Sequence, residues 1–226
     1  MSPKLVIATL AACFASVASA QSLSNGSFET DGSGFLIFAD WQNFGNVFAA
    51  DSGETAPLDG AQMAKMFGAS SGMQSDQVLQ QTVTGITEGM QYTLTSNVKH
   101  ITGDELGEEN IILIQMVFQD GSGNDLDVVE TIALDPVNDP LDTWIQTDLS
   151  GIAPTGSSQI LISLLHIQLG TDAGFPTQGG GASFWDDVSL VEGDGPCMNP
   201  ADLNGDGSVD FTDVNIFVDG FQQGCP

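Results

Sequence analysis

Between residues 21 and 192, short stretches rich in β-branched and aromatic residues alternate with clusters of Gly, Asn, Asp and Ser. The stretches have the length of β-strands, and the clusters are made of residues that favour turns. No stretch in this range shows a convincing helical pattern. The predicted strands are residues 23–29, 35–41, 62–67, 77–83, 91–98, 111–118, 128–133, 143–149, 159–168 and 182–191. The sequence therefore predicts an all-β domain over residues 21–192.

The pattern inside these stretches indicates how the strands pack. Residues 92–98 alternate apolar and polar side chains, which is typical of a strand with one buried face. Residues 111–118 and 160–165 are almost continuously apolar, which favours central strands covered on both faces. About ten strands in roughly 170 residues must bury one face of a sheet on another layer. We expect a two-sheet sandwich.

The first twenty residues have the pattern of a signal peptide. Lys4 is followed by the apolar residues 5–17, and small residues at 18–20 precede Gln21. This apolar run is too short to span a bilayer, and the small residues suit cleavage between Ala20 and Gln21. No later stretch is apolar for long enough to be a membrane span. The sequence predicts a secreted, extracellular or periplasmic protein without a membrane anchor.

The charge of the chain excludes several partners. It has 30 acidic residues against 3 Lys and Arg residues, for a formal net charge of -27. Beyond the signal peptide, Lys65 and Lys99 are the remaining strong cations. Such a surface repels phosphate backbones, which excludes nucleic acid, and it disfavours anionic polysaccharides because their sites require cations. A saline habitat or bound divalent cations would offset the self-repulsion.

The C-terminal residues form a separate module. Residues 193–196 are the linker, because they combine Gly, Asp and Pro. Cys197 and Cys225 are the cysteines left after signal removal, and in an oxidising compartment they are expected to form a disulfide. Closing that loop stabilises a small module by about 3 kcal/mol in the chain-entropy model. We expect residues 197–226 to be a disulfide-closed domain.

Residues 202–213 have the spacing of an EF-hand calcium loop. Ca²⁺ prefers six to eight oxygen ligands, and this spacing supplies them at alternating positions around a central glycine. Apolar side chains then recur at helical spacing from Phe211 to Phe221, which predicts one amphipathic helix of about ten residues. The predicted Ca²⁺ ligands are Asp202, Asn204, Asp206, Ser208, Asp210 and Asp213.

The calcium loop resembles one repeat of a type I dockerin, the calcium-dependent module that attaches secreted polysaccharide-degrading proteins to cohesin receptors. The resemblance covers residues 202–213. It implies the same six calcium ligands, with Phe211 and Thr212 at partner-recognition positions. It also implies a cohesin-like or cell-surface protein partner.

Residues 25–29 (Asn-Gly-Ser-Phe-Glu) and 184–190 (Phe-Trp-Asp-Asp-Val-Ser-Leu) resemble the first and last strands of galactose-binding-type jelly rolls, a fold shared by many carbohydrate-binding modules. The resemblance spans most of residues 21–191. It implies a jelly-roll sandwich and a carbohydrate ligand. It also implies a structural Ca²⁺ held by Glu29 with Asp186 or Asp187, although these acids could equally be solvated or cap a turn.

Sugar recognition requires exposed aromatic rings flanked by amide and carboxylate groups. Trp41, Phe44 and Phe48 lie in a Gly- and Asn-rich stretch with loop character, so they are the candidate ligand-binding residues. Trp144 and Trp185 lie within strand patterns, which favours the core.

The sequence shows no catalytic constellation, so no catalytic residue is assigned. His100 and His166 are isolated, and the acids at 105, 108 and 109 fall in a polar turn. The leading hypothesis is a non-catalytic glycan-binding or surface-adhesion module. The alternatives are a neutral-glycan hydrolase with a dockerin-like anchor, and a matrix protein bridged by calcium.

Overall fold

The computed structural model describes residues 23–69, 71–170, 173–174, 180–193 and 211–222. They form two antiparallel five-stranded sheets and one helix. Sheet A has the strand order β1-β4-β9-β6-β7, and sheet B has the order β2-β3-β10-β5-β8. The strands are β1 (Gln42–Phe44), β2 (Val47–Asp51), β3 (Gln62–Phe67), β4 (Ser75–Thr84), β5 (Gln91–Lys99), β6 (Asn110–Gln119), β7 (Asp125–Leu134), β8 (Ile145–Ile152), β9 (Gln159–Gln168) and β10 (Ala182–Glu192).

The predicted all-β sandwich is confirmed, and eight of the predicted stretches coincide with strands β3 to β10. The inner faces of both sheets form one core. Ile112, Ile114, Ile162 and Leu164 come from sheet A, and Leu94 comes from sheet B. Each of these side chains alternates with a less buried neighbour along its strand, as the period of a pleated sheet requires.

The predicted strands at 23–29 and 35–41 are wrong. These residues form turns that place Phe28, Phe38 and Trp41 in the core. The Asn25 side chain donates to the Thr30 and Ala39 carbonyls, and it accepts from the Thr30 amide. Local side-chain bonds of this kind compete with pairing in a sheet. The chain instead enters the sandwich through the short strands β1 and β2.

The two continuously apolar strands are interior strands, with β9 at the centre of sheet A and β6 beside it. These strands were predicted to be covered on both faces, but only their inner face is fully buried, against the core. Leu113, Leu161 and Leu165 point away from the core and are half-buried. The apolar run therefore supplies an outer surface as well as a core layer.

The predicted C-terminal helix is confirmed as α1 (Phe211–Gln222). Asp213 lies in its first turn and is buried, whereas Phe211 and Phe217 are exposed. A tight hairpin turn joins β6 to β7, with the Asp120 amide donating to the Asn124 carbonyl. Within the described residues, no helix has the length and apolar character needed to cross a membrane.

Candidate functional site

The structure separates the three aromatic residues that were predicted to bind a sugar. Trp41 is fully buried, its ring centroid lies 5.4 Å from that of Phe28, and its indole Nε1 donates to the Asn25 carbonyl at 3.0 Å. Its assignment to a sugar platform is therefore wrong. The loop character of the surrounding sequence reflects a turn that directs the Trp41 ring into the main core.

Phe44 and Phe48 are exposed, but they lie on opposite outer faces of the sandwich. Phe44 is opposite Val78 in the register of β1 and β4, on the outer face of sheet A, and 52% of it is exposed. Phe48 is opposite Lys65 in the register of β2 and β3, on the outer face of sheet B, and 47% of it is exposed. One ligand cannot contact both rings.

The outer face of sheet A carries two parallel rows of side chains that cross its five strands. The strand registers align the members of each row directly opposite one another, where neighbouring side chains are in contact. The apolar row consists of Phe44, Val78, Leu165, Leu113 and Ile132. The amide row consists of Gln42, Gln80, Ser163, Gln115 and Glu130.

Hydrogen bonds within the amide row hold its side chains in place. Gln80 Nε2 donates to Gln42 Oε1 at 3.2 Å, and Gln115 Nε2 donates to Glu130 Oε2 at 2.9 Å. Each amide still has a carbonyl oxygen or a second N–H available, because an amide group offers two donors and one acceptor. The row can therefore both donate to and accept from a hydroxyl-rich ligand.

A cleft of about 340 Å³ opens at the β1 end of the amide row. We call it the sheet A cleft. All of its lining residues except Leu161 carry hydroxyl, amide or carboxyl groups. They are Ser24, Asp40, Gln42, Gln80, Gln81, Thr82 and Leu161. Its volume is at the lower end of the range of small-molecule sites, about 300–1,000 Å³.

The wall of the cleft is built by the segment that precedes β1. Gln81 is buried, its Oε1 accepts from the Ser24 amide at 2.8 Å, and its Nε2 donates to the Ser24 carbonyl at 2.9 Å. Asp40 is held at a φ of 67° just before the buried Trp41. A left-handed conformation at a residue other than glycine needs support from its surroundings, which the Trp41 anchor provides.

Sequence reasoning missed Gln42, Gln80 and Ser163. Residues 78–83 alternate, which places Gln80 on the face opposite to Leu79, and that signal was visible in the sequence. The row itself depends on the pairing of β1 with β4 and of β4 with β9, which joins residues far apart in the chain. No local pattern encodes that register.

Glu29 was predicted to hold a structural Ca²⁺ together with Asp186 or Asp187. The structure brings Glu29 and Asp186 to the loop between β2 and β3, which we call the β2–β3 loop (residues 52–61). Glu29 Oε1 accepts from the Ala61 and Gln62 amides, both at 2.8 Å. Asp186 Oδ2 accepts from the Leu58 amide at 2.8 Å and the Asp59 amide at 3.0 Å. Both carboxylates thus fasten this loop to the sandwich.

Asp187 does not face this loop anchor. It is exposed, has a φ of 47°, and lies where the register of β10 and β5 shifts. The described part of the chain contains no group of three His, Cys, Asp or Glu side chains arranged to hold a metal ion. The structural calcium of the sandwich stays a prediction.

Burial gives the Asp186 carboxyl an unusual environment. Desolvation raises the pKa of this carboxyl above its ordinary value. The backbone amides of Asp59, Asp187 and Leu58, which donate to it, lower the pKa but do not outweigh desolvation. Lys99 is buried on the same face, where desolvation lowers the pKa of its ammonium group. Lys99 Nζ donates to Thr55 Oγ1 and to the Ala56 carbonyl, both at 2.7 Å. The two ions anchor the β2–β3 loop.

His166 is a fully buried histidine within the sandwich. Its ring nitrogens lie 3.0 Å from Ser183 Oγ and 2.9 Å from Asn110 Oδ1, so it links β9 to both sheets. Burial lowers its pKa to about 4. These contacts are structural, because the ring is fully enclosed.

Several predicted residues lie outside the described part of the chain. They include the signal-peptide boundary and most of the calcium module: Ala20, Gln21, Cys197, Cys225, Asp202, Asn204, Asp206, Ser208 and Asp210. Asp213 is described, and it is buried in the first turn of α1. The disulfide and the calcium loop stay predictions.

No family model and no curated protein sequence matches this chain. Its structure is similar to the enzymatically active domain of tailspike protein 4 of bacteriophage CBA120, with 16% identity and a TM-score of 0.53. That match covers 76% of this chain and 21% of the solved phage domain, so the match spans about a fifth of that domain's length.

Two further solved structures cover similar parts of the chain. The Stig cyclase Fisc from Fischerella sp. TAU has 16% identity and a TM-score of 0.53, over 78% of this chain and 98% of the cyclase. The CBM22-1 xylan-binding domain from Paenibacillus barcinonensis Xyn10C has 18% identity and a TM-score of 0.45, over 77% and 95% of the two chains. At these identities the likeness shows the fold alone.

Proposed function

We propose that this protein is a secreted, non-catalytic module that binds a neutral glycan at the sheet A cleft. The observation that carries the proposal is the position of the exposed Phe44 ring beside the amide row and the cleft on one open sheet face. Aromatic rings stack on the apolar faces of pyranose rings, and amides satisfy sugar hydroxyls as donors and acceptors.

The charge around this cleft favours a neutral ligand. Asp40 is the one charged residue in its lining, and the lysines of the described chain lie on the other sheet. A uronate or sulfate would therefore meet a carboxylate without a compensating cation. A neutral hydroxyl group can donate to Asp40 and exchange hydrogen bonds with Gln42 and Gln80.

The dimensions of the face favour an extended chain. Five strands at about 4.8 Å spacing make a sheet about 19 Å across. The apolar and amide rows cross that whole width, one offering apolar side chains and the other amide, hydroxyl and carboxylate groups. An oligosaccharide lying across the strands would place its ring faces on the apolar row and its hydroxyls on the amide row.

Titration calorimetry with xylohexaose, cellohexaose and mannohexaose tests this proposal. We expect one of them to bind, and Phe44→Ala and Gln80→Ala each to weaken its binding about fivefold, since the loss of one stacked ring or one paired amide costs about 1 kcal/mol. Phe35→Ala is the matched control, because Phe35 is 97% exposed and outside the cleft lining.

Two outcomes would contradict the proposal. Absence of binding to all three sugars, or unchanged affinity in Phe44→Ala, would remove the sheet A cleft as a glycan site. Release of shorter sugars from any of these oligosaccharides would support the neutral-glycan hydrolase instead.

We also propose that residues 202–213 bind Ca²⁺. The support is the oxygen-ligand spacing of the loop together with the burial of Asp213, its last position. Calorimetric titration of Ca²⁺ into chelated protein should detect a site that Asp202→Ala removes and that the exposed control Asp127→Ala retains. A second site lost in Glu29→Ala would place calcium in the sandwich as well. An unchanged titration in Asp202→Ala would refute the loop site.

A further inference from the structure

The outer face of sheet B contains a second cleft on the side of the sandwich opposite Phe44. It has a volume of about 340 Å³, and we call it the sheet B cleft. Its lining differs from that of the sheet A cleft, because it combines an ion pair, an aromatic ring and glycine residues that leave the backbone exposed. The lining residues are Lys65, Phe67, Gly68, Asp104, Gly180 and Gly181.

The aromatic wall of this cleft is held rigidly by a second ring. Phe67 stacks on Phe48 with a centroid distance of 5.3 Å and an interplanar angle of 8°. Phe48 is directly opposite Lys65 in the register, and Phe67 lies two residues further along the same face of β3. A ring fixed by such a contact loses little additional freedom when a ligand packs on it.

The polar wall is a cation held between two carboxylates. Lys65 Nζ forms ion pairs with Glu54 and with Asp104, the latter at 3.3 Å, and lies 5.1 Å from the centroid of the Phe184 ring. Burial lowers the pKa of Lys65, but the bonds to Glu54 and Asp104 outweigh it and raise the pKa overall. The ammonium group is therefore a charged donor at a defined position.

The charge of this cluster selects against anions. One lysine faces two carboxylates, so the group carries one more negative than positive charge. The side chains of Glu54 and Asp104 are 42% and 38% exposed, which leaves their oxygens accessible to a ligand in the cleft. A neutral ligand with adjacent hydroxyl groups can accept from the ammonium and donate to a carboxylate at the same time.

The remaining wall has no side chains, which lets a ligand approach the backbone. A Cβ on Gly180 would meet no atom within 4 Å, so this position opens into free space. Gly181 has a φ of 94°, and a Cβ there would lie 2.1 Å from the Glu105 carbonyl oxygen. Glycine is therefore required at 181, whereas at 180 a side chain could project into the cleft.

We propose that the sheet B cleft is a second carbohydrate site, which binds a single neutral pyranose unit. The Phe67 ring contacts the apolar face of the sugar, Lys65 donates to one hydroxyl, and Asp104 accepts from its neighbour. The protein would then hold two glycan chains on opposite faces. This inference shares the ligand class of the proposed function, but its residues are separate from those of the sheet A cleft.

Chemical-shift mapping with the methyl pyranosides of glucose, galactose, xylose and mannose tests this site directly. We expect one of these sugars to shift the backbone amides of Lys65, Phe67 and Gly181 in a saturable manner. Gly180→Leu fills the cleft and should weaken this response at least tenfold. Lys65→Met, which keeps the aliphatic stem but removes the donor, should weaken it about tenfold. Gly121→Leu is the control, because a Cβ there makes only an ordinary 3.5 Å contact outside both clefts.

The outcomes separate the two sites. Saturable shifts at Lys65 that persist in Phe44→Ala and disappear in Gly180→Leu support the second site, whatever happens at Gln42 and Gln80. Absence of shifts at Lys65 with every sugar, or unchanged shifts in Gly180→Leu, would overturn it. Shifts at Lys65 that disappear in Phe44→Ala would also overturn it, because they would report one site rather than two.

Discussion

The two outer faces of the sandwich are each built on five antiparallel strands, yet they differ in what lies on them. The outer face of sheet A is open and presents amides and aliphatic side chains in rows. The outer face of sheet B carries Lys65 and Lys99 and a second small core, which buries Ala50, Met63, Ala182 and Phe184. The β2–β3 loop is fastened there by Asp186, Glu29 and Lys99.

This difference shows how a strongly acidic chain uses its few cations. Both lysines of the described residues lie over aromatic rings on one face, with Lys99 Nζ 4.4 Å from the centroid of the Trp144 ring. A cation on a ring, with carboxylates nearby, can be partly buried without leaving a charge unpaired. Within the described residues, the outer face of sheet A carries no lysine.

The largest expected loss of stability comes from a substitution on the outer face of sheet B, where the β2–β3 loop is anchored. Asp186→Ala should lower the free energy of unfolding by about 3 kcal/mol, because it leaves the Leu58, Asp59 and Asp187 amides without their acceptor and removes a nearby opposite charge from Lys99. Urea denaturation measures the loss. Asp148→Ala, an exposed acid on the same face, is the control and should change stability by less than about 0.5 kcal/mol. Equal losses would show that the loop anchor does not matter.

The next prediction concerns the pH dependence of stability that is due to His166, which is buried between the two sheets. His166 has a pKa of about 4 in the fold against an ordinary value of 6.5, so between these values the unfolded chain binds a proton that the folded chain does not. Stability should therefore fall by about 3 kcal/mol as the pH drops from 6.5 to 4. His166→Gln should remove this loss, which denaturation at several pH values would show.

Other groups titrate differently and can be separated from His166. Hydrogen bonds from Asn124 and Asn138 lower the pKa of Asp120 and Asp135, so their contributions are present above the ordinary aspartate pKa and are lost at lower pH than the histidine window. The raised pKa of Asp186 acts in the opposite direction. The folded chain binds a proton at this carboxyl more readily than the unfolded chain, so this group makes the folded state more stable as the pH falls. A pH dependence between 6.5 and 4 that is retained in His166→Gln would assign it to other groups.

The smallest effect compares the two exposed phenylalanines. Phe48→Ala should cost about 1 kcal/mol of stability because it removes the parallel stack with Phe67. Phe44→Ala should change stability by less than about 0.5 kcal/mol, since its ring is exposed and no ring contact holds it within the described residues. Thermal unfolding of both variants measures the difference. Equal values would mean that the stack makes no net contribution on the sheet B face.

Little of the candidate site could be predicted from the sequence. The sequence identified Phe44 and Phe48 as exposed aromatic candidates, but Gln42, Gln80 and Ser163 were not predicted. It could not distinguish Trp41 from the two phenylalanines, because all three aromatic residues lie in one Gly- and Asn-rich stretch. The difference arises from the turn at Asn25, which directs Trp41 into the core, and from strand pairing that assigns Phe44 and Phe48 to different sheets.

The sequence by itself determined the all-β class, the eight strands β3 to β10, the C-terminal helix and the strongly acidic surface. These properties follow from local composition and period, which act over a few neighbouring residues. Only the tertiary structure decided which side chains form the rows of sheet A, how Asp186 and Lys99 hold the β2–β3 loop, and where the two clefts open. These features depend on register between strands distant in the chain, and register is settled by the packing of the whole core.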